Sequence, residues 1–238
     1  MAIVYAGERA ASKVTGGSGT SQALTLSTGC SAGNTVILSF GARATSLPTV
    51  TVTDSRSNTW TVDSGPLIGS NNLCLVASTR QNTATLQSGD TITVDFGAVT
   101  PGQARIWMVE EFSGLATSSY LNVTDDGTAA SGTSVTTGTT AATDTNDELV
   151  MAACCYGSGV PSFTKDGTYS AFTTTYQNCV ADSDGFNKSL GHEYKIVAST
   201  GTQEATATLS ASTSWQIVLA TYRIAGSGSK LGPLLGVG

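Results

Sequence analysis

The sequence predicts an all-β protein, an antiparallel two-sheet sandwich of jelly-roll type with about twelve strands. Three observations lead there. Charged residues make up only 12% of the 238 residues, against roughly 25% in an average domain. Thr, Ser, Gly and Ala take their place; Thr favours strands and Gly favours reversals. Segments such as Thr49-Val-Thr-Val-Thr53 alternate apolar and polar positions between turn signals, the period-two pattern of a half-buried strand. Finally, one succession of extended segments runs twice along the chain, which points to two similar halves.

Taken in order, residues 1–21 form a small, polar N-terminal arm with a glycine joint at Gly16-Gly-Ser-Gly19. Its Ile3, Val4 and Tyr5 are apolar enough to dock on a partner. The sandwich proper is expected over residues 22–223. Its first pass reads Gln22–Thr28, Asn34–Phe40, a hairpin Thr49–Thr53 and Thr59–Val62 around Asp54-Ser-Arg-Ser-Asn58, then Leu73–Thr79, Thr91–Phe96 and a closing strand Ala104–Phe112. The second pass reads Ser134–Thr140, Glu148–Cys154, Glu193–Thr200, Ala205–Ser210 and a closing strand Ser214–Tyr222. It offers no counterpart to the Asp54–Asn58 turn. Residues 113–146 read as a crossing between half-sandwiches that share one core. From Ile224 onward, Gly226, Gly228, Gly232 and Pro233 interrupt any strand. Residues 224–238 therefore read as an attachment tail, with Lys230, Leu231, Leu234, Leu235 and Val237 as partner-binding residues.

Charge and composition narrow the function. A net charge of -6 and a pI near 4.6 argue against nucleic acid, whose phosphates need a basic face. No segment approaches the roughly 20 apolar residues of a membrane helix. The start lacks the basic-then-apolar pattern of a secretory leader, so synthesis and folding in a cytoplasm are expected. The five cysteines, Cys30, Cys74, Cys154, Cys155 and Cys179, have no metal-ligand spacing and read as buried free thiols. Cys154 and Cys155 should face opposite sides of their strand.

No catalytic set emerges. His192 is the sole histidine, and Ser189 is too close in sequence for the spread-out triads that work. Glu110 and Glu111 are consecutive on a strand, so they point to opposite faces; Glu193 stays open as a partner carboxylate. Asp182, Asp184 and Asn187 alternate as in a calcium loop but lack its bidentate glutamate, and the same residues serve a turn that bonds its own backbone. Trp107 and Trp215 sit at matching core positions of the two closing strands. Trp60 ends the hairpin, where an exposed ring could stack on a sugar, with Tyr169 and Phe172 as further loop aromatics. The expectation is no enzyme, no metal and no cofactor.

Four stretches carry a resemblance: Val50-Thr-Val-Thr-Asp-Ser-Arg-Ser-Asn-Thr-Trp-Thr61, Gly89-Asp-Thr-Ile-Thr-Val94, Glu110-Glu-Phe-Ser-Gly-Leu115 and Asn146-Asp-Glu-Leu-Val150. Together they resemble β-sandwich minor structural and decoration proteins of tailed bacteriophage virions. That resemblance implies a non-enzymatic virion component, a capsid decoration (minor capsid) protein, held to the particle through its terminal segments. Its partners would be a major capsid or tail protein and further copies of itself. The alternative is a minor tail protein or a glycan-binding adhesin module reading host-surface glycans.

Overall fold

A computed structural model of the chain describes residues 2–14, 17–79, 81, 83–102, 104–157, 162–171 and 188–226. Within them the strands are β1 (Val4–Val14), β2 (Ser21–Thr25), β3 (Thr35–Arg43), β4 (Thr51–Asp54), β5 (Trp60–Gly69), β6 (Asn72–Thr79) and β7 (Thr91–Asp95). They continue with β8 (Arg105–Ser113), β9 (Leu121–Thr136), β10 (Glu148–Gly157), β11 (Phe163–Lys165), β12 (Ser170–Ala171), β13 (Lys188–Val197) and β14 (Thr206–Tyr222). The all-β, antiparallel expectation holds, and the described residues contain no helix. Two details do not hold. The described strands number fourteen rather than about twelve, and they form three sheets rather than two.

The reason is the duplication, which is more complete than the sequence suggests. In the first half a five-stranded sheet β1-β8-β3-β6-β5 faces a three-stranded sheet β2-β7-β4. In the second half β10, β13, β12, β14 and the first part of β9 repeat the five-stranded order. The last part of β9, the first part of β14 and β11 repeat the three-stranded one, with Val135 opposite Ala207 and Phe163 opposite Leu209. These strands run on from one layer into the next, so the second half forms one continuous sheet where the first has two.

Three apolar clusters follow from strand alternation. Along β8, Trp107 and Val109 face Leu24, Ile92 and Val94 of the small sheet, whereas Ile106, Met108 and Phe112 face the second half. Along β10, Met151, Ala153 and Cys155 meet that seam, while Val150, Ala152, Cys154 and Tyr156 pack outward on Val135, Phe163 and Leu209. Strands β3, β6, β8 and β10 are thus buried on both faces, which is why their sequences carry apolar residues at consecutive rather than alternate positions. Each half has its own core, and the seam joins the two. The expectation of half-sandwiches sharing a single core is replaced by this stacked arrangement.

Pairing also corrects the internal alignment. Trp107 lies opposite Phe40 and Trp215 opposite Tyr156, so Phe40 and Tyr156 correspond. Phe40 pairs with Leu75 and Tyr156 with Ser189, which matches Thr79 to Glu193 and shifts the expected match of Leu73–Thr79 with Glu193–Thr200. The Asp54 turn does have a counterpart. Asp54 Oδ1 accepts the Arg56 N–H at 2.8 Å, and Asp166 Oδ1, just after β11, accepts the Thr168 N–H at 2.7 Å.

The expected hairpin is instead an arch. β4 pairs with β7 and β5 with β6, so the chain crosses from the small sheet to the large one at Asp54–Asn58. Asp54 Oδ1 also accepts the Asn58 N–H, and its Oδ2 accepts the Trp60 indole N–H at 2.7 Å. An alternating strand, a turn and a second alternating strand look the same whether the strands pair or face each other. The 113–146 connection is likewise corrected: its middle is the sixteen-residue strand β9, with 137–143 bonded on to Gly201, Gln203 and Ala205.

The seam has consequences for unfolding. Because Leu149, Met151, Val218 and Tyr222 of one half bury against Ile37, Val76, Met108 and Phe112 of the other, calorimetry of the full chain is expected to show one cooperative transition. Two separable transitions would mean that each half's own core suffices.

Candidate attachment site at the chain ends

The N-terminal segment is not a detached arm. β1 pairs along β8 from Val4 opposite Ser113 to Val14 opposite Arg105, completing the edge of the five-stranded sheet. Side chains fasten it. The Tyr5 hydroxyl donates to Glu110 Oε2 at 2.6 Å, and its ring lies 5.3 Å from Phe112 and 5.4 Å from Tyr194. Arg9 pairs with Glu111 at 2.5 Å, while Glu111 Oε1 also accepts the Ser31 N–H and the Asn34 amide. Ile3 is buried in the seam cluster. Ile3 and Tyr5 therefore serve the chain's own core, because an edge strand beside a fully buried β8 gains more by completing that sheet. Val4, on the other face, is 52% exposed.

Both ends of the described chain converge on Gly114. A Cβ there would stand 2.2 Å from the Ala2 carbonyl oxygen, and the residue has φ +81°, so only glycine lets the N-terminal segment cross so closely. Leu115 bridges to Ile224, and the Ala225 N–H donates to the Gly114 carbonyl at 2.7 Å. Beside this crossing lies a cleft of about 270 Å³ lined by Ala2, Ile3, Asp147, Ile196 and Ile224. Ile196 is 45% exposed. The expected tail residues Lys230, Leu231, Leu234, Leu235 and Val237 lie outside the described residues, but the chain leaves the structure from the wall of this cleft.

The residues weighed for chemistry are kept apart. Glu110 points into the seam and Glu111 toward Arg9, on opposite faces as expected. Glu193 lies on the far side of its sheet, beside Tyr169 of the outer core, whose phenol is pushed up by burial first and by Glu193 second. His192 is buried, and Ser189 is buried opposite Tyr156 in the β10–β13 register. Trp107 and Trp215 are buried at corresponding positions, as expected. Trp60 is half-buried against the first core, with its N–H held by Asp54, so its ring is anchored in the arch and partly accessible.

Cys30, Cys74, Cys154 and Cys155 are buried free thiols, with Cys154 in the outer core and Cys155 in the seam. Cys179, Phe172, Asp182, Asp184 and Asn187 fall outside the described residues. A second, polar hollow of about 240 Å³ is lined by Ser134, Thr164, Lys165, Asp166 and Thr206 among others. Asp166 is already engaged there: hydrogen bonds from Thr168 and Thr206 hold its carboxyl down to about 2.

Sequence reasoning missed Asp147 and Ile196 as site residues. Each reads as an ordinary turn acid or strand residue, and only the return of Ile224 beside them makes a cleft. Among the described residues no cluster of three or more His, Cys, Asp or Glu could hold a metal, and no helix is long and apolar enough to cross a membrane. Comparison with protein families, with curated proteins and with solved structures finds no match to this chain.

Proposed function

We propose that this protein is a non-enzymatic structural component of a tailed-bacteriophage virion, a capsid decoration (minor capsid) protein. It is made in the host cytoplasm and fastens to a major capsid or tail protein, and to further copies of itself, through the surface where its ends meet. The observation that carries this reading is the convergence at Gly114 of the N-terminal segment and the exit to the tail, beside the exposed Val4 and Ile196. The four short stretches that resemble virion proteins support it. So does the engagement of Glu110, Glu111 and Asp166 in internal bonds.

A jelly-roll assignment belongs to the same proposal. The order β1-β8-β3-β6 facing β2-β7-β4 is that of eight strands folded over as two Greek keys, with β5 joined to β6 instead of β4.

Deleting residues 227–238 is expected to leave the fold intact while reducing incorporation into particles at least about tenfold. Burying even one apolar tail side chain is worth roughly 1.5–3 kcal/mol, and about 1.4 kcal/mol is tenfold in affinity. Co-sedimentation with purified virions measures it, and equal incorporation of the truncated chain would sink the attachment reading. Binding of the isolated protein to a glycan array, lost in Trp60→Ala with folding retained, would favour the adhesin alternative instead.

A further inference from the structure

We infer that the cleft lined by Ala2, Ile3, Asp147, Ile196 and Ile224 is the seat of the chain's own C-terminal segment, Lys230 to Val237, in the free protein. The cleft has apolar walls from Ile3, Ile196 and Ile224 and one exposed carboxylate, Asp147. The segment offers the complementary set: Lys230 followed by Leu231, Leu234, Leu235 and Val237. Lys230 is the sole charged side chain after Arg223, so one cation would meet one anion while leucines meet isoleucines.

Connectivity favours the chain's own tail over any other occupant. Ile224 is at once a wall of the cleft and part of the last bridge to Leu115. Gly226, with φ +85°, can turn the chain back where a residue with a Cβ would be strained. The four residues from Ser227 to Lys230 then span at most roughly 14 Å, ample for a cleft that begins at Ile224. So short a connection gives an effective concentration in the millimolar range, well above that of a second copy at micromolar protein. Val4 and Ile196 are, with Leu47, the large apolar side chains left exposed among the described residues. Seating the tail would cover Ile196 directly.

This inference stands apart from the attachment reading. A tail seated at home must be released before it engages a neighbour, so the contact would delay assembly until a particle competes for it. Either idea can fail without the other, since the first is read on the free chain and the second on virions.

The test is zero-length carbodiimide cross-linking of the full chain at micromolar concentration, in an equal mixture of isotope-labelled and unlabelled protein. The expected product is a Lys230–Asp147 linked peptide in which both arms carry the same label. Ile196→Ser, at an exposed position, should lower its yield about tenfold with the circular dichroism spectrum unchanged. Linked peptides of mixed label as the main product would overturn the inference in favour of a second copy. Absence of the Lys230–Asp147 peptide, or an unchanged yield in Ile196→Ser, would overturn it outright.

Discussion

Stability is expected to fall as the pH is raised from about 5 to about 9, the reverse of the usual carboxylate behaviour. Two buried glutamates are responsible. Glu110 is pushed up to about 8, chiefly by burial, although the Tyr5 hydroxyl bonded to it pulls the other way and Glu8 adds to the rise. Glu193 is likewise pushed up to about 8, again chiefly by burial, against the pull of a backbone hydrogen bond from Asp166 in the other direction. Both values lie above the ordinary 4.5 of a glutamate, so the unfolded chain gives up these protons first. The stability they contribute is full below about 4.5 and is lost as the pH climbs through about 8. By linkage each carboxyl contributes up to about 5 kcal/mol, enough to dominate the profile.

Asp90, Asp144 and Asp166 work in the opposite sense. Hydrogen bonds from Arg56, from Arg223 and from Thr168 respectively hold them below the ordinary range. Their contribution is lost as the pH falls below about 4, but they lie near the surface, where solvent screening lowers their weight. Maximum stability should therefore fall near pH 4 to 5 by this balance. Urea unfolding across the pH range measures it, and Glu110→Gln, which removes one titration but keeps an acceptor for Tyr5, should flatten part of the slope. A profile level between about pH 5 and 9, or a slope indifferent to both Glu110→Gln and Glu193→Gln, would contradict the assignment of these groups.

Asp63→Ala is the single substitution expected to damage the seam most. Asp63, on β5, accepts three hydroxyl donors: Ser78 at 2.5 Å, Tyr120 at 2.6 Å and Tyr222 at 2.9 Å. Ser78 belongs to the first half, but Tyr222 lies on β14 and Tyr120 stacks on it at 6.2 Å, so the carboxylate ties the halves together. Burial raises the Tyr222 phenol well above its ordinary range and keeps it a donor. Removing the acceptor strands up to three buried hydroxyls, at about 1–3 kcal/mol apiece, so a loss of roughly 3–6 kcal/mol is expected from denaturant unfolding. Asp63→Asn, which retains one acceptor oxygen, should cost less. A loss below about 1 kcal/mol for Asp63→Ala would mean that other acceptors replace it.

The period-two alternation of Val50 and Val52, the threonine-rich strands and the matched Trp107 and Trp215 made the all-β class and the duplication legible. The opposed faces of Glu110 and Glu111, and of Cys154 and Cys155, followed from strand geometry alone. What could not be read was which strand sits beside which. β4 and β5 look like a hairpin because Asp54–Asn58 is a sound turn, yet Val52 and Trp60 reach one core from two different sheets. Strands β6 and β10 are apolar on both faces, so they carry no alternation to set their register, and the internal match slipped there.

The candidate site divides in the same way. Local composition identifies a glycine-broken tail with apolar residues and an N-terminal segment with Ile3, Val4 and Tyr5. It cannot say that Tyr5 meets Glu110, 105 positions away, or that Ile224 returns beside Ala2, Asp147 and Ile196. Alternation and turn chemistry act over a few neighbouring residues and are written into the sequence directly. Layer order, seam and cleft depend on contacts between segments far apart in the chain, where many pairings bury similar apolar area and only the folded whole selects among them.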